Sequence, residues 1–170
     1  VIHCWGLDAA TERGPAPGVF RAADNPGCAS ALHLVQALSA RSNARPRGLW
    51  VVTKGAQAVG PTEAALALAQ APLLGLGKTV ALEHPTLGYC GVDLDPVEGM
   101  AEWTAALLPE LLAPDGESQV AIRDRIRRVA RLVARPARPT GAGANDEAQM
   151  QYWTIPARGG RMHVLRLVND

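Results

Sequence analysis

The stretch Ala71–Asp95, APLLGLGKTVALEHPTLGYCGVDLD, decides how the rest of the chain is read. Pro72 suits the first turn of a helix, where its missing N–H is no loss, and Leu73, Leu74, Leu76, Val80 and Leu82 follow as nearly continuous apolar surface. Such a helix is expected to be covered on several sides. Gly75 and Gly77 inside it each cost about 1 kcal/mol against alanine, so both are read as packing glycines that let another backbone approach closely. His84 with Pro85 ends the helix. Tyr89 to Asp95 then reads as a buried strand, with Asp93 and Asp95 at its end.

Working outward, Leu49-Trp50-Val51-Val52-Thr53 is a second apolar run of strand length without polar alternation, as in a parallel strand covered on both faces, and Trp50 is counted in the core. Asn25-Pro26 announces a helix whose apolar positions Ala31, Leu32, Val35 and Leu38 recur at helical spacing to about Ala40. Val1 to Trp5 has strand character and is read as the inside of a strand, so the chain is expected to be a segment of a larger polypeptide. Thr62 to Gln70 is either a short helix or an extended lead-in. After Asp95, Pro96 is expected to open a helix with Val97, Met100, Trp103, Leu107 and Leu111 on one face, kinked or restarted at Pro109.

Gln119 to Arg123 and Arg128 to Val133 are expected to pair as a hairpin. Residues 135–151 have linker composition, and Met162 to Val168 is a last strand that either pairs with the body or opens the next domain. The organisation is therefore one domain over residues 1–134, a linker over 135–151 and a tail strand within 152–170. Strands alternating with helices make this an α/β fold with a mainly parallel sheet flanked by helices and a C-terminal hairpin.

A net charge of +1 and 48% hydrophobic residues exclude bulk attraction to nucleic acid or acidic membranes, and no apolar run is long enough for a membrane span. Cys4, Cys28 and Cys90 lie far apart without a CxxC pair, so they are read as buried thiols in a reducing cytoplasm rather than disulfides or zinc ligands. The arginine cluster from Arg123 to Arg138 lacks interleaved aromatics and is read as a solvated strand face or a contact with an acidic neighbour.

Gly77-Lys78-Thr79 matches the end of a phosphate-binding loop, but the glycine required five positions earlier is Pro72, and a dinucleotide fingerprint beginning at Gly75 would need glycine at Val80. Packing is the better reading, with a small nucleotide-binding domain using Gly75 to Thr79 as the alternative. Glu83-His84 and the Asp93/Asp95 pair are read as a helix-end charge and strand-end caps rather than as acid/base or metal-binding pairs. No catalytic, cofactor-binding or metal-ligating residue is assigned.

Four blocks, VIHCWGLD (1–8), LHLVQAL with GLWVVTKGAQAV (32–38, 48–59), QAPLLGLGKTVALEHP with VDLDP (70–85, 92–96) and ESQVAIRDRIRRVARLV (117–133), together resemble the structural subdomain of the ketoreductase region in modular polyketide synthases. The resemblance implies a truncated Rossmann-like domain that binds no cofactor and carries no catalytic residue. It would pack against a separate half that binds NADPH and reduces the β-keto group of a carrier-bound chain. Enoylreductase or dehydratase domains are the implied neighbours, in an active ketoreductase or a degenerate pseudo-ketoreductase. The tyrosine and lysine of that reduction, four residues apart, are absent: Tyr89 and Tyr152 are followed at that distance by Asp93 and Pro156. Where many relatives have an Asp-Gly hairpin turn this chain has Asp124-Arg125-Ile126, from which a wider loop is expected.

Overall fold

A computed structural model describes residues 1–8, 26–41, 46–59, 66–134, 153–156 and 162–169. Strand β1 (Ile2–His3) is followed by α1 (Pro26–Ser39), β2 (Leu49–Lys54), α2 (Ala71–Glu83), β3 (Tyr89–Leu94), α3 (Met100–Leu112), β4 (Gln119–Arg123), β5 (Ile126–Ala134), β6 (Trp153–Pro156) and β7 (Met162–Asn169). These strands form a single sheet in the order β1-β2-β3-β4-β5-β7-β6. The first four run parallel, and from β4 outward every neighbour is antiparallel. The fold is α/β, as the alternation of elements predicts, and Rossmann-like, as the family resemblance implies.

Each face of the parallel half has its own core. Trp50, Val52, Cys90, Val92, Leu94, Val120, Ile122 and Val129 form one, beneath Trp103, Ala106, Leu107 and Leu111 of α3. Leu49, Val51 and Leu87 form the other with Ala31 and Val35 of α1 and Leu73 and Val80 of α2. Alternation along β2 and β3 therefore sends odd and even residues into different layers, which is why neither strand shows polar spacing in the sequence.

Several expectations are corrected. Pro96 does not open α3: residues 96–98 are a turn, Gly99 is the N-cap, and Val97 and Met100 lie exposed, leaving Trp103, Leu107 and Leu111 to face the core. The helix passes through Pro109 without dividing. The β4–β5 connection is the tight two-residue turn, not a wider loop, with Asp124 and Arg125 at φ of 52° and 61°. The Asp124 N–H donates to Asp95 Oδ2 at 2.9 Å, and this anchor holds a geometry that glycine would adopt freely. The tail strand β7 pairs with β5 from Arg128↔Asn169 to Ala134↔His163, which is the first of the two readings given for it. The Asn25 cap and the 135–151 linker lie outside the described residues. Of the Thr62 to Gln70 connection, Leu68–Gln70 is a 3-10 turn leading directly into α2.

Candidate functional site

In an open parallel sheet, ligands bind beyond the carboxyl ends of the strands. Here that edge is formed by Thr53 and Lys54 of β2, Asp93 at the end of β3 with Asp95 just beyond it, and Arg123 at the end of β4. Asp93 and Thr53 are register partners, so the strand pairing itself brings the Thr53 hydroxyl to Asp93 Oδ1 at 2.5 Å. The chain turns back over the carboxylate after Gly55, whose φ of 63° suits glycine, and the N–H groups of Ala56 and Gln57 donate to Oδ1 and Oδ2 at 2.9 and 3.1 Å. Arg123 Nη2 closes the cage on Oδ2 at 2.6 Å.

The guanidinium is equally occupied. Nη1 donates to the carbonyls of Asp93, Leu94 and Ile122, and Nη2 also donates to that of Gln57. Both side chains are buried, Asp93 completely. Around them, Gln70 accepts from the Lys54 N–H through Oε1 at 2.9 Å, and Asp95 Oδ1 accepts from the Val97 N–H at 3.0 Å. Trp103 Nε1 donates to the Asp95 carbonyl at 2.8 Å, and Lys54 Nζ lies 4.8 Å from the Trp103 ring centre. Gln57 Nε2 is buried without a hydrogen-bond partner. The arrangement can hold strand ends together. A carboxylate with both oxygens already accepting two donors has little capacity to take a proton from a substrate.

The other singled-out residues are scattered. Trp50 is in the α3-side core, its Nε1 donating to the Glu110 carbonyl at 3.2 Å. Pro72 lies in the first turn of α2. His84 caps the C-terminus of α2, its N–H donating to the Val80 carbonyl at 2.8 Å and its Nδ1 lying 3.4 Å from Ser39 Oγ. Gly77 lies under Tyr89, where an added Cβ would collide with the hydroxyl and ring; the neighbour is a side chain rather than another backbone. Gly75 is the reverse of expectation: it is exposed, and an added Cβ would meet nothing within 4 Å.

Sequence reading misses Arg123. Grouped there with a surface arginine cluster, it is in fact the buried partner of Asp93, while Arg127 pairs with Glu110 and Asp115 and Arg131 with Glu117. The available signal is an arginine in the last position of an otherwise apolar VAIR run, with aspartates ending the adjacent strand. The cysteines divide: Cys90 is buried and its thiol is pushed up to about 12 chiefly by desolvation, Cys28 is half-buried and Cys4 is exposed, which corrects the picture of three buried thiols. Among the described residues, no group of three or more His, Cys, Asp or Glu could hold a metal ion, and no helix is long and apolar enough to cross a membrane.

A parallel α/β sheet with a filled carboxyl edge and an antiparallel extension places the chain in the class of truncated Rossmann-like subdomains. Residues 5–132 match the family described as the polyketide synthase extender module SpnB, Rossmann fold domain. The chain is 36% identical over 142 residues to a component of the phenolphthiocerol/phthiocerol polyketide synthase of Mycobacterium tuberculosis, covering 84% of this chain and 6% of that protein. It is 38% identical over 151 residues to erythronolide synthase EryA3 of Saccharopolyspora erythraea, covering 81% of this chain and 4% of the relative. The pikromycin synthase component PikAIII of Streptomyces venezuelae is 42% identical over 95 residues, 54% of this chain and 6% of that protein. The chain belongs to this family of Rossmann-fold subdomains from the ketoreductase region of modular polyketide synthases. It spans about 6% or less of the length of these relatives.

Proposed function

We propose that this subdomain is a non-catalytic scaffold within a polyketide synthase. It supports a separate half that binds NADPH and reduces the β-keto group of the growing chain, beside further processing domains such as an enoylreductase or dehydratase, in the cytoplasm. The observation that carries the reading is the Asp93–Arg123 cage. It fills the carboxyl edge of β2, β3 and β4, where a cofactor crevice would otherwise open, with side chains already bonded to one another and to local backbone.

At that edge the side chains a nicotinamide cofactor would meet are already bonded to one another, Asp93 to Thr53 and to Arg123, which supports the reading that none binds there. The rival reading, nucleotide binding by Gly75 to Thr79, has less support, because phosphates are bound by free backbone N–H groups at a helix start. Those residues lie in the interior of α2, which begins at Ala71, so their N–H groups serve the helix, and Gly77 lies beneath Tyr89. Titration of the chain with NADPH and with ATP tests both readings. The expected result is no saturable binding in the micromolar range, and saturable binding of either nucleotide would defeat the scaffold reading.

A further inference from the structure

Helices α1 and α2 each cross between parallel strands on the same side of the sheet, so they run in the same direction and end together at its amino edge. Their last residues are Ser39 and Glu83, and the two ends meet: Ser39 Oγ lies 3.4 Å from Nδ1 of His84, the residue that follows α2. A helix C-terminus carries about half an elementary negative charge on carbonyls that lack an intrahelical donor, and lysine or arginine in the last turn ordinarily offsets it. Neither last turn here holds a basic residue, and α2 ends instead on a glutamate. Glu83 is exposed and forms no ion pair among the described residues. Arg41 and Lys78, the nearest cations along the two segments, do not line the cleft between the helices and form no ion pair with it. Two helix ends and a carboxylate thus stand together without a counter-charge. Local stability opposes that arrangement, and such conflicts concentrate where a surface is kept for a function.

The cleft between the two helices has a volume of about 510 Å³, with Leu32, Val35, Leu76 and Val80 as its apolar lining and Glu83 and His84 where the helices end. Leu32 is 43% exposed there. Apolar walls that lead to a negative end suit a side chain with a hydrocarbon stem and a cationic head, which lays its stem along the walls. A guanidinium suits this end better than an ammonium. Its planar fork bonds a carboxylate through two N–H groups and has donors left for helix-end carbonyls.

We propose that this cleft receives an arginine side chain from another domain of the same polypeptide, its stem against Leu32 and Val80 and its guanidinium on Glu83 and the closing carbonyls of α1 and α2. This deepens the scaffold reading above and rests on it. Charge selects the occupant, since the only charged residue lining the cleft is Glu83 and both helix dipoles add to its sign. The weakness of the contact selects its source. One exposed ion pair does not hold a free partner, so the arginine has to be delivered by a tether, as in relatives where this subdomain is a small part of one long polypeptide.

The test is a photo-crosslinking amino acid, p-benzoylphenylalanine, in place of Gln36, which is exposed and lines the cleft, in the intact polypeptide that carries this segment, with adducts mapped by mass spectrometry. The expected adduct is intramolecular and close to an arginine of another domain. Glu83→Lys lowers its yield by about fivefold, and Glu83→Asp retains most of it. In the isolated chain the same Glu83→Lys raises the urea midpoint, because lysine suits a helix C-terminus, so a lost adduct is separated from damaged folding. An adduct on a second copy or on a segment without arginine, no adduct outside this segment, a yield indifferent to Glu83→Lys, or a lowered midpoint overturns the proposal and leaves the scaffold reading standing. Saturable nucleotide binding by the isolated chain overturns the scaffold reading whatever the adduct.

Discussion

Arg123 Nη2 and Asp93 Oδ2 lie 2.6 Å apart inside the sheet, joining the ends of β4 and β3, with the Asp93 side chain wholly removed from solvent. A buried ion pair survives only where further hydrogen bonds satisfy both ions, and here backbone N–H groups, a hydroxyl and four carbonyls do so. Removing one partner strands the other charge. Arg123→Leu is expected to lower unfolding stability by about 3–5 kcal/mol, read from the urea midpoint by far-UV circular dichroism. Asp93→Asn, which keeps the shape and loses the charge, is expected to cost less than Asp93→Ala. A loss below about 1 kcal/mol for Arg123→Leu would reduce the cage to the level of a surface pair and remove it as an organising element.

The order of strands and helices is legible because β2 and β3 are buried on both faces and so appear as unbroken apolar runs, while α1 and α2 carry helical spacing. The cage is not. Arg123 follows Val120, Ala121 and Ile122 but is also the first of seven arginines ending at Arg138, and a linear reading groups it with its charged neighbours. Only the parallel pairing of β3 with β4 brings it beside Asp93. The hairpin turn is misread for a related reason: the residue types disfavour a tight turn, and the hydrogen bond from Asp124 to Asp95, 29 residues away in sequence, decides it.

The two glycines of α2 are expected to respond in opposite directions. Gly75→Ala places a methyl group in open space and removes the entropic cost of glycine in a helix, so stability rises by about 0.5–1 kcal/mol. Gly77→Ala drives a methyl into the Tyr89 ring, whose hydroxyl also lies 2.6 Å from where a Cβ on Gly91 would stand, so the ring has little room to move. A loss of about 1–3 kcal/mol is expected, partly restored by combining it with Tyr89→Val. Thermal melts of the three variants decide this, and equal shifts for the two single substitutions would contradict the packing assigned to Gly77.

Arg125→Gly converts the hairpin turn to Asp-Gly, the pair suited to positive φ at both positions. Relief of left-handed strain is expected to stabilise the isolated chain by about 1 kcal/mol, offset slightly by the greater freedom of glycine when unfolded. Stabilisation by Arg125→Gly but not by Arg125→Ala, measured by urea titration, identifies backbone strain rather than charge as the cause.

The thiols are expected to separate in a reaction with Ellman's reagent at neutral pH. Cys90 is buried with its thiol pushed up to about 12, so it reacts only on unfolding. Cys4 is exposed, and although desolvation and nearby Asp8 raise its thiol above the ordinary range, it is expected to react first, with half-buried Cys28 slower. Protection of Cys4 equal to that of Cys90 would contradict the exposed position of the residue following β1.

Acid sensitivity should begin at His3. Its ring is buried, Nε2 lies 2.8 Å from Ser30 Oγ, and Nδ1 has no hydrogen-bond partner. Ser30 Oγ donates to the Gly27 carbonyl at 3.0 Å, which leaves it as acceptor from a neutral Nε2–H tautomer. A second proton on Nδ1 would be buried without an acceptor, and desolvation accordingly lowers the pKa of the folded imidazole below 6.5. The unfolded chain then binds more protons than the folded one, so stability rises with pH through this window. It is complete above the unfolded value and falls by up to about 1.4 kcal/mol per pH unit as pH drops below about 6.5, ceasing once the folded imidazole is itself protonated. Asp115 and Glu117 have lowered values, held down chiefly by the Glu117 N–H and by Arg131 respectively, so their contribution is present above the carboxylate range and is lost only at more acid pH. Urea titrations of the native chain and of His3→Gln between pH 5 and 7.5 separate the two effects. The native slope below pH 6.5 should be absent in the variant, and an identical slope in both would remove His3 as its origin.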